Sequence, residues 1–232
     1  VHELSHKFAA NKHGIEATAP YFIPGPPPPV GIGTFGAIIQ QKSLAPNKDA
    51  LFDLGVSGPI IGFIIAIIVT LLGFPFSVYE WIPKDAPTLP SPILFFIIGQ
   101  LLHPFGSVPP YPSSEPGKYV LAIALHPVAF AGWVGMFVTV INLIPAGMLD
   151  GGHAVRGLLG QKATNILSLI AIVILLVLNP FHYWLIAMLA FFFSMQRHPG
   201  PLDDVSKLTT GRKLVGILLI AIFILCTAPY FL

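Results

Sequence analysis

Apolar residues along this chain gather into blocks of unequal length, and polar, proline and glycine positions mark the turns between them. Block length and period predict the elements. A first helix occupies 1–13 and stops at Gly14. Residues 17–40 are apolar but contain Pro24-Gly25-Pro26-Pro27-Pro28-Pro29 and Gly31-Ile32-Gly33-Thr34-Phe35-Gly36, so a re-entrant extended segment or β-hairpin is expected there. Long apolar runs predict transmembrane helices at 51–73, 118–144, 163–178, 181–196 and 213–229, with Pro127 tolerated as a kink. The apolar piece at 92–103 would rise only about 18 Å as a helix, short of a bilayer core, and reads as interfacial or re-entrant. The rest of 77–117 reads as a Pro-rich loop. Gly55, Gly58 and Gly62 form a small-residue stripe that lets another helix approach closely. The expected fold class is all-α: a polytopic transmembrane helix bundle forming one integral membrane domain over 1–232.

Composition agrees with this pattern. Of 232 residues 54% are hydrophobic and 9% charged, against about 25% charged in soluble domains. A net charge of +2 without a basic tract argues against nucleic acid and leaves the lipid bilayer as the expected surroundings. Cys226 is the single cysteine, so it forms no internal disulfide and reads as a packing or lipid-facing residue. The chain begins with Val1 and its chemistry starts at residue 2, so we expect the natural protein to extend upstream, with 1–13 the second half of a longer helix.

Charge then orients the helices. If 92–103 does not cross, Lys12, Lys42, Lys48, Arg156, Lys162, Arg197, Lys207, Arg212 and Lys213 fall on one side and only Lys84 and Lys118 on the other. Such an excess marks the first side as cytoplasmic.

The candidate chemistry lies at the start. His2-Glu3-Leu4-Ser5-His6 is a His-Glu-x-x-His pattern, in which helical pitch stacks the two imidazoles on one face. His2 and His6 can thus bind one metal, and Glu3, about 100° round the turn, can reach a water there without being a ligand. The topology puts Asp150 near the same membrane depth as the histidines. An acid among apolar segments is costly and so a site candidate, which makes Asp150 the expected third ligand. Two imidazoles and one carboxylate leave a tetrahedral zinc one open position for water, with Glu3 as general base. Asn142, one or two turns before Asp150, reads either as a donor to the oxyanion or substrate, or as a helix–helix hydrogen-bonding residue. His126 and His153 read as structural, with His153 the alternative ligand to Asp150. His103 reads as interfacial and Asp53 as a capping or interfacial acid.

Taken together, His2-Glu3-Leu4-Ser5-His6 and Asn142-x-x-Pro145-x-x-x-x-Asp150-Gly151 resemble the site-2 protease family of intramembrane zinc metalloproteases. Gly33-Thr34-Phe35-Gly36, Leu51-Phe52-Asp53-Leu54-Gly55 and His198-Pro199-Gly200-Pro201-Leu202-Asp203-Asp204 resemble segments of its prokaryotic and plastid members. The resemblance implies one catalytic zinc on His2, His6 and Asp150, Glu3 as base and Asn142 lining the substrate site. It also implies hydrolysis of peptide bonds in or near transmembrane segments of membrane-protein substrates. We expect a multi-pass protein of a prokaryotic cell membrane, its site toward the cytoplasm. The competing readings are a catalytically silent scaffold or chaperone, against which Glu3 speaks, and a transporter, against which the nearly pure apolarity of the other helices speaks.

Overall fold

A computed structural model describes residues 1–25, 34–112, 117–178, 180–195 and 200–227. The Pro-rich centre of the 17–40 segment, His198-Pro199, and the expected helix ends at 196 and 229 lie outside the described residues. The chain is mostly helical, at 59%. It divides into two compact units, Val1–Ile61 with Ile141–Ile220, and Gly62–Val140 with Ala221–Leu232.

In the first unit, α1 (His2–Lys12) leads to an antiparallel hairpin of β1 (Tyr21–Pro24) and β2 (Thr34–Ile38), with Tyr21 opposite Ile38 and Ile23 opposite Gly36. Gly36 has φ 98°, a left-handed conformation that favours glycine. The helix α2 (Lys48–Gly73), which belongs to this unit as far as Ile61, begins where the Asn47 side chain accepts the Ala50 N–H at 2.9 Å, a cap that meets one otherwise unpaired donor. Its start packs on the end of α1 through Ala10, Ile15, Ala45, Ala50, Leu51 and Leu54.

Further along, the last residues of α4 (Pro127–Leu143), which belong to this unit from Ile141, lead into a tight turn with Gly147 at φ 39°, and α5 (Asp150–Leu159) starts at once. The pair α6 (Gln161–Leu178) and α7 (Pro180–Met195) closes on that turn through Ile144, Ala146, Ile172, Ala187 and Ala190. The last helix is α8 (Thr210–Cys226). By length and hydropathy, α2 with the 3-10 turn Phe74–Phe76 is the one membrane-crossing candidate among the described residues.

In the second unit the expected helix over 118–144 is corrected. Residues Tyr119–Ala124 form β4, and the helix begins only at Pro127, whose ring suits a first helical position. The cause is non-local: β4 pairs antiparallel with β3 (Val78–Pro83), Val78 opposite Ala124 and Pro83 opposite Tyr119. Both strands are rich in aromatic and β-branched residues. The loop expected over 77–117 therefore contains β3, and also α3 (Ile93–Leu101). The chain is thus mostly helical with two small sheets: β1–β2 lies in the segment expected to be extended, and β3–β4 lies where no strand is expected.

Candidate metal centre

The local physics of α1 does the first half of the assembly. His2 and His6 stand one turn apart, their ring centroids 4.6 Å from each other, with Nε2 to Nε2 at 2.9 Å. The second half arrives from the other end of the unit. The turn after α4 brings α5 across the same imidazoles, and the first residue of α5 is Asp150. Its Oδ2 lies 3.0 Å from His2 Nε2 and its Oδ1 lies 3.3 Å from His6 Nε2. All three side chains are largely buried.

These spacings suit a shared ion. Zinc–ligand bonds of about 2.0–2.2 Å arranged tetrahedrally put neighbouring donors roughly 3.3–3.6 Å apart. The donor atoms of His2, His6 and Asp150 approach that separation, and they are the group that could hold a metal among the described residues. The tautomer of His6 fits as well. Its Nδ1 lies 2.8 Å from the Leu54 carbonyl, which can only accept, so Nδ1 carries the proton and the Nε2 lone pair faces the cluster. Ser57 Oγ stands 3.3 Å from the same Nδ1 and 3.1 Å from the same carbonyl.

Asn142 and Asp150 are eight positions apart, yet both reach His2: Asn142 Nδ2 lies 3.4 Å from its Nε2. The intervening turn is tight enough to require small residues. A Cβ on Gly151 would stand 2.5 Å from the Leu143 carbonyl carbon, and one on Gly152 would stand 2.9 Å from that of Gly147. Glu3 is half-buried in the first turn of α1, within electrostatic range of His2, His6 and Asp150.

Three contributors escaped sequence reasoning. The Leu54 carbonyl is backbone and carries no residue-type signal. Ser57 adjoins the recognised glycines but looks like any helix serine. Gly58 reads from the sequence as part of a helix-packing stripe, and its role is more local: a Cβ there would stand 2.6 Å from both His2 Nε2 and His6 Cε1, and nearer still to His6 Nε2. Gly55 does receive a helix, since its Cβ would meet Asp150 O and Ala154 N at 2.7 Å. His153, the alternative ligand, packs its Cβ against Gly55 and is not among the converging donors. Asp53, expected as a cap or interfacial acid, is paired with Arg212 at 2.6 Å and His13 at 2.8 Å.

Comparison with known proteins agrees with this geometry. The sequence pattern of Peptidase family M50 matches residues 1–178. The chain is 33% identical over 232 residues to "Probable zinc metalloprotease EGY1, chloroplastic" of Arabidopsis thaliana, covering 95% of this chain and 39% of that protein. It is 30% identical over 240 residues to "Probable zinc metalloprotease EGY2, chloroplastic" of Oryza sativa subsp. indica, covering 99% and 40% respectively. A shorter match, 32% over 134 residues, covers 58% of this chain and 8% of "DDT domain-containing protein PTM" of Arabidopsis thaliana. The chain thus spans about two fifths of the length of the two metalloproteases. No solved structure matches. The expected prokaryotic membrane finds no support here, because both metalloproteases are plant proteins named chloroplastic.

Proposed function

The chain belongs to peptidase family M50, and on that premise we propose that it carries the catalytic centre of an intramembrane zinc metalloendopeptidase. The observation that carries this reading is the meeting of Asp150 with the His2–His6 pair across 148 positions of sequence. In the proposal, His2, His6 and Asp150 hold a single zinc. When bound, the ion would polarise the scissile carbonyl and acidify water.

The remaining work belongs to the chain. Glu3, beside the imidazoles and outside the ligand set, accepts a proton from the attacking water and returns it to the leaving amine. Asn142 Nδ2, near His2, donates to the oxygen that gains charge or to the substrate backbone. Leu54 O holds the His6 ring by its Nδ1–H and so fixes which nitrogen faces the ion. Gly58 keeps the wall behind the imidazoles flat.

The substrates proposed are transmembrane segments, and the setting proposed is a multi-pass bundle with α2 among its spans. Support comes from the length and apolarity of α2, at mean hydropathy 2.5, and from the shorter apolar helices Pro127–Leu143 and Gln161–Val177. A helical substrate hides its amides in its own hydrogen bonds and must unwind before hydrolysis. The β1–β2 hairpin offers strand edges on which an unwound stretch could pair.

The test is Glu3→Gln in the full chain, offered single-pass membrane proteins. Zinc content should stay as in the wild type while cleavage falls by at least about 100-fold, the low end for loss of a general base. Undiminished cleavage would overturn the catalytic role. Zinc bound with no cleavage by either protein, over a broad substrate set, would mark a silent scaffold.

A further inference from the structure

The motif that ends in Asp203-Asp204 has no part in the chemistry just described, yet the structure builds it into the same unit as the metal centre. After α7, residues 200–209 return to the beginning of α2. There they are held at both ends. Leu202 N–H donates to Ala45 O at 2.9 Å and Asp203 N–H to Pro46 O at 3.0 Å, a parallel bridge to the residues that lead into α2. At the far end Thr209 N–H donates to Asp49 Oδ1 at 3.0 Å, and Arg212 spans Asp49 at 2.8 Å and Asp53 at 2.6 Å. The Asp203 carboxylate closes the turn between, accepting from the N–H groups of Val205 and Ser206 at 3.0 Å.

From this tied loop Asp204 reaches into α5. Arg156 is 6% exposed, a rare state for an arginine, and its guanidinium makes a two-point pair with Asp204 at 3.0 and 2.6 Å. Lys48 Nζ stands 3.6 Å from the same carboxylate. Arg156 Nε has no hydrogen-bond partner among the described residues, and Asp204 is the carboxylate paired with its guanidinium. Gly200, at φ 56°, lets the loop close over it, since a Cβ there would stand 2.7 Å from Arg156 Nη2. Arg156 lies six residues beyond Asp150 on the same ten-residue helix, about 9 Å along its axis. A helix of under three turns transmits a shift or rotation at one end to the other. A loosened Arg156 would therefore move the carboxylate that meets His2 and His6.

We propose that residues 200–209 are a positioning strap for the metal centre: Asp204, through Arg156, sets the register of α5 and so holds Asp150 against the two imidazoles. The strap rests on the zinc reading above and adds residues that touch neither metal nor substrate. Asp204 and Arg156 are positioning residues, and their loss should change how the metal is held before it changes how substrate is bound.

The experiment uses the full chain in detergent, with Co2+ in place of Zn2+ so that the visible d–d bands report ligand number and geometry. Asp204→Asn should weaken Co2+ binding by roughly 10- to 100-fold, the usual effect of removing a supporting partner of a ligand, and should shift the bands. It should lower kcat while KM changes less than about threefold. Asp204→Glu, which keeps the anion, should restore most of both. Wild-type bands and affinity in Asp204→Asn would overturn the proposal, as would a rise in KM alone. Should Asp204→Asn fail to fold, Arg156→Lys keeps the charge without the two-point fork and reads the same claim: weaker, altered Co2+ binding supports it and wild-type binding overturns it. If the wild type itself binds no Co2+, the zinc reading is what has failed.

Discussion

At the scale of single residues, the account depends on which atoms face the two imidazoles. Gly58 gives the sharpest prediction away from the donors. A methyl group there overlaps His6 Nε2 and His2 Nε2, and the α1–α2 packing behind them is tight. Gly58→Ala should reduce zinc content at limiting metal by about tenfold or more, with an overpacking cost of about 1–3 kcal/mol read as a lowered Tm. Full zinc occupancy with an unchanged Tm would contradict this role for Gly58. His2, Glu3 and His6 were legible because their spacing is a property of one helix, where pitch alone decides which side chains share a face. Asp150 stands out in the sequence as an acid among apolar segments, and the structure brings its carboxylate to the two imidazoles. Gly58 was not, because a glycine's sequence neighbours cannot say whether its bare Cα faces a helix or a ring. Leu54 was invisible for a simpler reason: any residue would supply the same carbonyl.

At the scale of elements, α5 is the piece that joins the metal donors to the strap. The sequence pattern predicts no element over 150–159, since Gly151 and Gly152 are poor helix formers and ten residues give a weak period. Its seat is tertiary, fixed by glycine contacts beneath and by Arg156 at its end. The strand β4 escaped for a related reason. Its apolar run is continuous with α4, and only the distant partner β3 turns it into a strand. The strap has its own pH signature. Hydrogen bonds from Arg156 hold the Asp204 carboxyl below its ordinary value of 3.8. A carboxylate depressed on folding adds stability that is present above its ordinary value and vanishes as pH falls through the folded one. The strap should therefore stay docked from neutral pH down to about 4 and release only below that. Limited proteolysis of 200–209 across pH 7 to 3 checks this. Cutting that already rises between pH 7 and 5 would contradict it.

For the whole molecule, the proposed membrane setting makes predictions about which segments share a side. Family membership and the length of α2 agree with a membrane setting. The charge distribution makes a specific forecast. Single cysteines placed at Lys48 and Lys207 should be labelled by an impermeant thiol reagent from the same side of sealed vesicles, and cysteines at Lys84 and Lys118 from the opposite side, in a Cys226→Ala background. Labelling of Lys48 and Lys84 positions from one side would break the proposed topology and with it the shared depth of site and strap. The central claim is nearer the chemistry: two imidazoles and one carboxylate around one zinc. X-ray absorption at the zinc edge, on the metal-loaded full chain with zinc counted per chain, tests it most directly. The account predicts one zinc with two imidazole nitrogens and oxygen donors at about 2.0–2.2 Å. A third imidazole, a sulfur at about 2.3 Å, or no stoichiometric zinc would contradict it.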